Sequence, residues 1–372
     1  MQEREKEKDL QPNGAEIKKG TGTKALVAMS GGVDSSVAAY FALEQGFQAI
    51  GATMVLYEDS RDLPCIREGV TDAEKVARRL GIPYHVFYLQ KDFTREVIDK
   101  FIRDYEAGLT PNPCVDCNRT IKFGKLLDKA AALDCSYLVT GHYARTEKDP
   151  RTGRVYLKKA VDLAKDQSYM LYGLGQKELA KALFPLGSMT KDETRRIADR
   201  QGFANAFKHD SQDICCGPDG RYADFIRAYT GKVYPPGDFV DEEGRKRGRH
   251  QGIIAYTVGQ RRGLGLALTH PLYVKKKDAG KNQIVLAENE RLFSRECEVA
   301  DVNWILFDRP PGRLNLKVKI RYGKAESPAL VIPQEGGGAK VIFDEPVRAI
   351  TPGQAAVFYD GEYVVGGGTI VG

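Results

Sequence analysis

Ser30-Gly31-Gly32-Val33-Asp34-Ser35-Ser36 lies between a short apolar run, Lys24 to Met29, and a stretch from Ser35 to Gln45 with apolar residues at helical spacing. That order predicts a strand, a tight glycine loop and a helix. Consecutive glycines let backbone N–H groups approach an anion closely, and the N-terminus of the following helix adds partial positive charge. Ser30, Ser35 and Ser36 supply hydroxyls, and Asp34 either holds a magnesium ion or orients the loop. The Walker A ending, Gly-Lys-Ser/Thr, is missing. A bare glycine turn before an N-cap is the bland alternative, and the strand–loop–helix setting argues against it.

Outward from this loop, the first half of the chain keeps alternating. Phe47 to Tyr57 reads as a second strand and Thr71 to Leu80 as an amphipathic helix ended by Gly81 and Pro83. Tyr84 to Leu89 reads as a third strand, Ile121 to Leu133 as a helix and Cys135 to Thr140 as a fourth strand. Such a β-α-β-α rhythm predicts a parallel sheet with helices on both faces. After about residue 217 helical periodicity fades. From about 290 onward short strands recur between turn signals, at Leu314 to Tyr322, Ala329 to Pro333, Ala339 to Phe343, Gln354 to Tyr359 and Tyr363 to Ile370. That spacing suggests a small β-barrel. The expected organisation is a tail over 1–23, an α/β nucleotide-binding domain over 24–217, a small β-rich domain over 218–289 and a C-terminal β-barrel over 290–372.

Composition places limits on function. Hydrophobic residues at 42% and charged residues at 28% suit a globular chain able to bury a core. No apolar run approaches the roughly 18 residues that cross a bilayer. The opening MQEREKEKDLQPNGAEIKKG mixes acids and bases without an apolar core, so it reads as a solvated, disordered tail and not as a signal or transit peptide. The expectation is a cytoplasmic protein with no membrane partner. A formal charge of +6 permits a polyanionic partner without requiring one.

Seven cysteines are an odd set for a disulfide framework, and in a reducing compartment they read as reactive, metal-binding or buried. Cys114 and Cys117 form a C-x-x-C within Thr110-Pro111-Asn112-Pro113-Cys114-Val115-Asp116-Cys117-Asn118, just ahead of a helix. Thiolates near a helix N-terminus are better populated as nucleophiles. The same spacing suits a metal, although a tetrahedral zinc site needs more ligands. Cys215 and Cys216 form a second cluster far along the chain, in Ser211-Gln212-Asp213-Ile214-Cys215-Cys216-Gly217. Cys65 and Cys297 have no partner pattern, and Cys135, at the start of a strand, reads as core.

The motif SGGVDS resembles the signature of the PP-loop ATP pyrophosphatases, which cleave ATP between the α- and β-phosphates and transfer AMP to a substrate oxygen. Taken in order, SGGVDSS, TPNPCVDCN followed by IKF, TGHYAR, KDQSYML, SQDIC and HQGIIAYTVGQRRGL resemble the bacterial tRNA-specific 2-thiouridylase family, from about residue 24 to the C-terminus. The resemblance implies a Rossmann-like PP-loop domain, ATP with Mg2+, tRNA as partner, and a sulfur-donor protein, either a cysteine desulfurase or a relay protein. Cys117 is then the nucleophile and Cys215 the cysteine that carries sulfur as a persulfide. ATP would meet Ala28, Met29, Ser30, Gly31, Gly32, Val33, Asp34, Ser35, Met54 and Gly141. The tRNA would meet Asn112, Pro113, Cys114, His142, Lys165, Asp166, Gln167, Arg321, Tyr322 and Gln354. A monomer meeting one tRNA is the expected assembly.

Two departures from the family pattern stand out. Many members carry Asp where this chain has Cys114, and Cys216 replaces a residue that is usually aromatic. Cys114, Cys117 and Cys215 are three candidate thiolate ligands, so thiolation through a 4Fe-4S cluster is an alternative to a persulfide. Beside the aromatics Tyr256 and Tyr322, the clustered charges of Arg245, Lys246, Arg247, Arg249, Arg261 and Arg262, and the alternating Lys317, Lys319 and Arg321, suit RNA phosphates and an unstacked base. A charge stripe of this kind is also the ordinary appearance of a wet face. Two other functions compete: a PP-loop synthetase adenylating a small molecule with incidental cysteines, and a non-catalytic tRNA-binding or sulfur-relay protein that releases no AMP.

Overall fold

The computed structural model describes residues 22–57, 64–208, 222–267 and 270–372, without the side chains of 64–67. Residues 1–21 of the expected tail, Cys215 and Cys216 lie outside the described residues, as does the side chain of Cys65. By contacts the chain divides into two compact units. The first takes the described residues of Met1–Thr94, Cys117–Ser211 and Glu362–Val364; the second takes those of Arg95–Asp116, Gln212–Gly361 and Val365–Gly372. The boundary within the C-x-x-C motif falls between Asp116 and Cys117.

In the first unit the strands are β1 (Lys24–Ala28), β2 (Gln48–Val55), β3 (Tyr84–Tyr88) and β4 (Tyr137–Val139), then a hairpin of β5 (Arg145–Lys148) and β6 (Val155–Lys158), then the short β7 (Ala182–Leu183). The order β3-β2-β1-β4-β7 makes a five-stranded sheet, parallel throughout. Strand order reverses between β1 and β4, and ligands of open α/β sheets bind in the crevice at the carboxyl ends there.

Helix α1 (Val33–Glu44) follows β1. Its small and apolar residues Val37, Ala38, Ala39 and Ala42 are fully buried together with Ala25 and Val27 of β1 and Val139 of β4. A helix apolar on all sides belongs inside a domain, and a charge at Ala38 would break it. Gly46, at φ +80°, ends the helix by turning the chain left-handed. Phe47 N then reaches Ala42 O at 3.0 Å, and Gly46 N reaches Leu43 O at 2.8 Å. Helix α2 (Pro64–Leu80) follows β2 and begins earlier than the expected Thr71.

The expected helix from Ile121 to Leu133 differs in start and in kind. A π-helix runs Cys117–Leu126, and Leu127–Ala132 continues it as α-helix. Apolar periodicity does not distinguish the two windings over so short a stretch.

In the second unit β8 (Gly237–Val240), β9 (Lys246–His250), β10 (Tyr273–Asp278) and β11 (Gln283–Ala287) form a four-stranded sheet in the order β10-β11-β8-β9. The barrel strands are β12 (Phe293–Trp304), β13 (Leu314–Lys319), β14 (Ser327–Pro333), β15 (Ala339–Arg348), β16 (Ala355–Asp360) and β17 (Tyr363–Ile370). They run in the order β12-β15-β14-β13-β16-β17, and β17 pairs back to β12 with Val299 opposite Ile370. Closure removes the exposed strand edges. Val318, Val331, Val341, Phe343 and Phe358 fill the barrel interior. Strand β12 was not among the expected strands, because Arg295, Glu296, Glu298 and Asp301 mask its apolar alternation.

Candidate active site

The phosphate loop joins β1 to α1 at the strand reversal. Gly31 takes φ +77°, and a Cβ there would lie 2.3 Å from Gly69 O, so the position requires glycine on both counts. Gly32 precedes α1 in an extended conformation, and no side chain caps the helix start, which leaves its first N–H groups for an anion. The serines hold the loop together. Ser35 Oγ accepts Ser30 N at 3.1 Å and donates to Gly32 O at 3.0 Å, while Ser36 Oγ donates to the same carbonyl at 3.0 Å. The Ser35 and Ser36 protons, expected to face a phosphate, are directed into the loop. Asn205 braces it from outside, donating through Nδ2 to Gly31 O and to Ser36 Oγ, both at 2.9 Å.

As folded, Asp34 is engaged by side chains that orient the loop. Lys191 Nζ lies 2.7 Å and 2.9 Å from its two oxygens, and the Tyr143 hydroxyl lies 2.9 Å from Oδ1 and 3.0 Å from Thr194 Oγ1. Lys191 begins the helix Lys191–Arg200, which is started by a Thr190–Glu193 capping box. The capping box is visible in the sequence; the ion pair across 157 positions is not.

Gly141 follows β4, and a Cβ there would lie 2.8 Å from Asp34 C and Ser35 N. Any side chain at 141 would strike the phosphate loop. Met29 is 2% exposed and packs in the core, where a Cβ on Gly51 would lie 2.7 Å from its Sδ. Val33 is buried, and Ala28 and Met54 are half-buried.

His142, expected to meet tRNA, is buried beside Phe123 and Phe184. Its Nδ1 lies 2.8 Å from Thr140 Oγ1, and its Nε2 lies 3.4 Å from Lys122 Nζ. Burial first, and the Lys122 charge second, hold this imidazole well below its usual range, so the ring is neutral. Cys117 opens the π-helix and is half-buried. The neighbouring Asn118 donates through Nδ2 to Met170 O at 3.0 Å.

In the segment Lys165–Gln167, Asp166 is buried and accepts from Ala160 N, Ser168 N and Ser168 Oγ. The Gln167 side chain accepts from Tyr143 N at 3.0 Å. Both side chains brace the site as folded, and Lys165, like Gln167, is half-buried.

Within the second unit, Asn112 Oδ1 accepts from Cys114 N at 3.2 Å, ahead of the short helix Pro113–Asp116. Cys114 is half-buried and Pro113 buried. Gln354 donates through Nε2 to Thr110 O at 2.8 Å, so its side chain supports the stretch leading into the cysteine motif. Arg321 donates to Val258 O at 2.9 Å and to Thr351 Oγ1, which fastens it inward. Tyr322 is exposed, with Lys319 Nζ 5.5 Å from its ring centre.

The basic run that leads into β9 and forms its first residues is paired with acids in and just after β8. Arg245 and Arg247 converge on Asp241, and Lys246 pairs with Asp238. Burial alone would raise the Asp241 carboxyl, but the arginines outweigh it and hold it at about 2. Cys135 and Cys297 are buried; burial pushes the Cys297 thiol up to about 12, which leaves it inert.

Among the described residues no group of three or more His, Cys, Asp or Glu side chains gathers as a metal site, and the Cys114–Cys117–Cys215 set extends outside them. No helix of the described chain is long and apolar enough to cross a membrane.

Three family models match the chain in series. They are a tRNA methyl transferase HUP domain over residues 23–218, a tRNA methyl transferase PRC-barrel domain over 223–288 and an aminomethyltransferase beta-barrel domain over 294–370. The chain is 46% identical over 354 residues to the tRNA-specific 2-thiouridylase MnmA of Acetivibrio thermocellus, covering 93% of this chain and 99% of that one. It is 45% identical over 352 residues to the tRNA-specific 2-thiouridylase MnmA of Clostridioides difficile, covering 93% and 98%. Among solved structures, the U34-tRNA thiolase NcsA from Methanococcus maripaludis, with its [4Fe-4S] cluster, is similar at a TM-score of 0.38 and 18% identity, over 63% of this chain and 80% of that one. A likeness that low carries no argument about chemistry.

Proposed function

The chain belongs to the tRNA-specific 2-thiouridylase family, and from that premise we propose that it uses ATP to activate the 2-carbonyl oxygen of a tRNA wobble uridine and replaces that oxygen with sulfur. The observation that carries the reading is the phosphate loop at the strand reversal, with Gly141 packed directly on it. A carbonyl oxygen is a poor leaving group until it carries an adenylate, and this loop is built to hold the nucleotide that supplies one. A magnesium ion held with the ATP phosphates would offset the negative charge that develops as pyrophosphate leaves. As folded, Asp34 holds Lys191 with both oxygens and would join the ion only by loosening that pair.

The uridine 2-oxygen attacks the α-phosphorus of ATP, pyrophosphate leaves, and the base loses its N3 proton. Cys215 receives sulfur from a protein persulfide donor and becomes a persulfide. The Cys117 thiolate attacks the Cys215 sulfur, forms the Cys117–Cys215 disulfide and releases hydrosulfide. Hydrosulfide adds to C2, the C2–O bond breaks, and the electron pair departs with AMP. The sulfur proton moves to N3, giving 2-thiouridine. A dithiol reductant then returns both cysteines to thiols.

The family descriptions speak of methyl transfer. The full-length relatives are thiouridylases, and the phosphate loop with two cysteine clusters suits adenylation and sulfur transfer. The cluster route is not favoured: the relatives are matched over nearly their whole length as thiouridylases. Complementation of a strain lacking wobble-uridine thiolation, read by tRNA mass spectrometry, tests the reading. Restored 2-thiouridine supports it, and its absence with the protein expressed and folded refutes it.

A further inference from the structure

We propose that Lys122 is the cation that accompanies the departing AMP when sulfur replaces oxygen at the activated uridine; the proposal rests on the reading above. The first observation is the winding of the chain after Cys117. In a π-helix the backbone bonds run from residue i to i+5, so Lys122 sits one turn beyond Cys117. With about 4.4 residues per turn, the two positions differ by about 50° around the axis, against about 140° in an α-helix. The unusual winding therefore puts lysine and nucleophile on one side.

The second observation is what holds the ammonium. Lys122 is half-buried, and its Nζ lies 3.4 Å from His142 Nε2. His142 is neutral, so its Nε2 lone pair accepts from the ammonium while Nδ1–H donates to Thr140 Oγ1. A neutral ring fixes the lysine without cancelling its charge. Lys191, by contrast, is neutralised by Asp34. The third observation is location: the residue before His142 is Gly141, which packs against the backbone of Asp34 and Ser35 in the phosphate loop. Lys122 is thereby tethered to the residue that follows the loop-packed Gly141, and it is carried on the helix of the nucleophile.

The step that uses such a group is the last one. As the C2–O bond breaks, its electron pair leaves with the phosphate oxygen and AMP gains one negative charge. A fixed donor aimed at developing charge in a water-poor site is worth about 100-fold or more in rate. Lys122 is the catalytic group in this account, and His142 is the positioning residue that aims it.

The test uses the full-length enzyme with unmodified tRNA, ATP and sodium sulfide as sulfur source, without air. Pyrophosphate release reports adenylation, and 2-thiouridine by mass spectrometry reports the sulfur step. Lys122→Met is expected to slow 2-thiouridine formation about 100-fold, to lower pyrophosphate release much less, and to accumulate adenylated tRNA. Lys122→Arg recovers part of the loss, and His142→Gln lowers kcat without raising KM for tRNA. The proposal is overturned if Lys122→Met makes 2-thiouridine at the wild-type rate. Equal loss of both steps, with a lowered Tm and no recovery in Lys122→Arg, overturns it in favour of a structural role. A wild-type enzyme that releases no pyrophosphate with tRNA refutes the functional reading itself, a different result from either.

Discussion

Lys191 Nζ bridges both carboxylate oxygens of Asp34, at 2.7 Å and 2.9 Å, and so ties the start of the helix Lys191–Arg200 to the glycine loop between β1 and α1. The lysine side chain is 9% exposed and the aspartate 33%, so the pair is sheltered but open on the aspartate side. Tyr143 closes the arrangement from the segment after β4 that also carries Gly141. The phosphate loop is thus held from three directions, by Lys191, Tyr143 and Asn205.

Lys191→Met leaves the Asp34 carboxylate without its cation. The expected cost is about 1–2 kcal/mol of stability, with pyrophosphate release falling at least about tenfold because the loop loses its fixed geometry. Thermal unfolding and tRNA-dependent pyrophosphate release measure the two effects. Unchanged values in both would remove the pair from the account.

Gly141→Ala places a Cβ 2.8 Å from the backbone of Asp34 and Ser35, where no flexible side chain can give way. The expected outcome is ATP affinity weakened about tenfold or more in a protein that still folds. Calorimetric titration of ATP checks it. Undiminished affinity would show that the strand end and the loop are not as tightly joined as the geometry requires.

Lys277 carries a pH signature. Burial pushes its ammonium down to about 7, while Nζ donates to Leu109 O at 2.9 Å. The unfolded chain holds that proton up to about pH 10.4. Between about pH 7 and 10 the unfolded state therefore binds a proton that the folded state lacks, and this contribution to stability rises with pH; below about pH 7 it is flat. Lys277→Met removes the contribution, so the Tm difference between wild type and variant should drift in the wild type's favour across that window. A difference constant with pH would mean that Lys277 titrates normally.

Much of the nucleotide half was legible because its determinants are local. Gly31 and Gly32 between an apolar strand and a small-residue helix admit few other conformations, and the alternation over Leu314 to Ile370 announced barrel strands. What escaped reading depends on distant partners or on winding. Lys191 meets Asp34 across 157 positions. The π-helix has the same residue types that an α-helix would use. The pairing of Arg245 and Arg247 with Asp241 was likewise not legible from the charge run alone. Asp166 and Gln167 illustrate the same point, since a polar trio on a loop gives no sign that two of its members turn inward.

The central claim is that activated uridine receives sulfur through Cys117 and Cys215. Its most direct measurement is 2-thiouridine in tRNA, by mass spectrometry, after incubation with ATP, a protein persulfide donor and either wild type, Cys117→Ser or Cys215→Ser. The account predicts 2-thiouridine with wild type and none with either variant, while both variants still bind ATP. Retention of 2-thiouridine by either serine variant would contradict it.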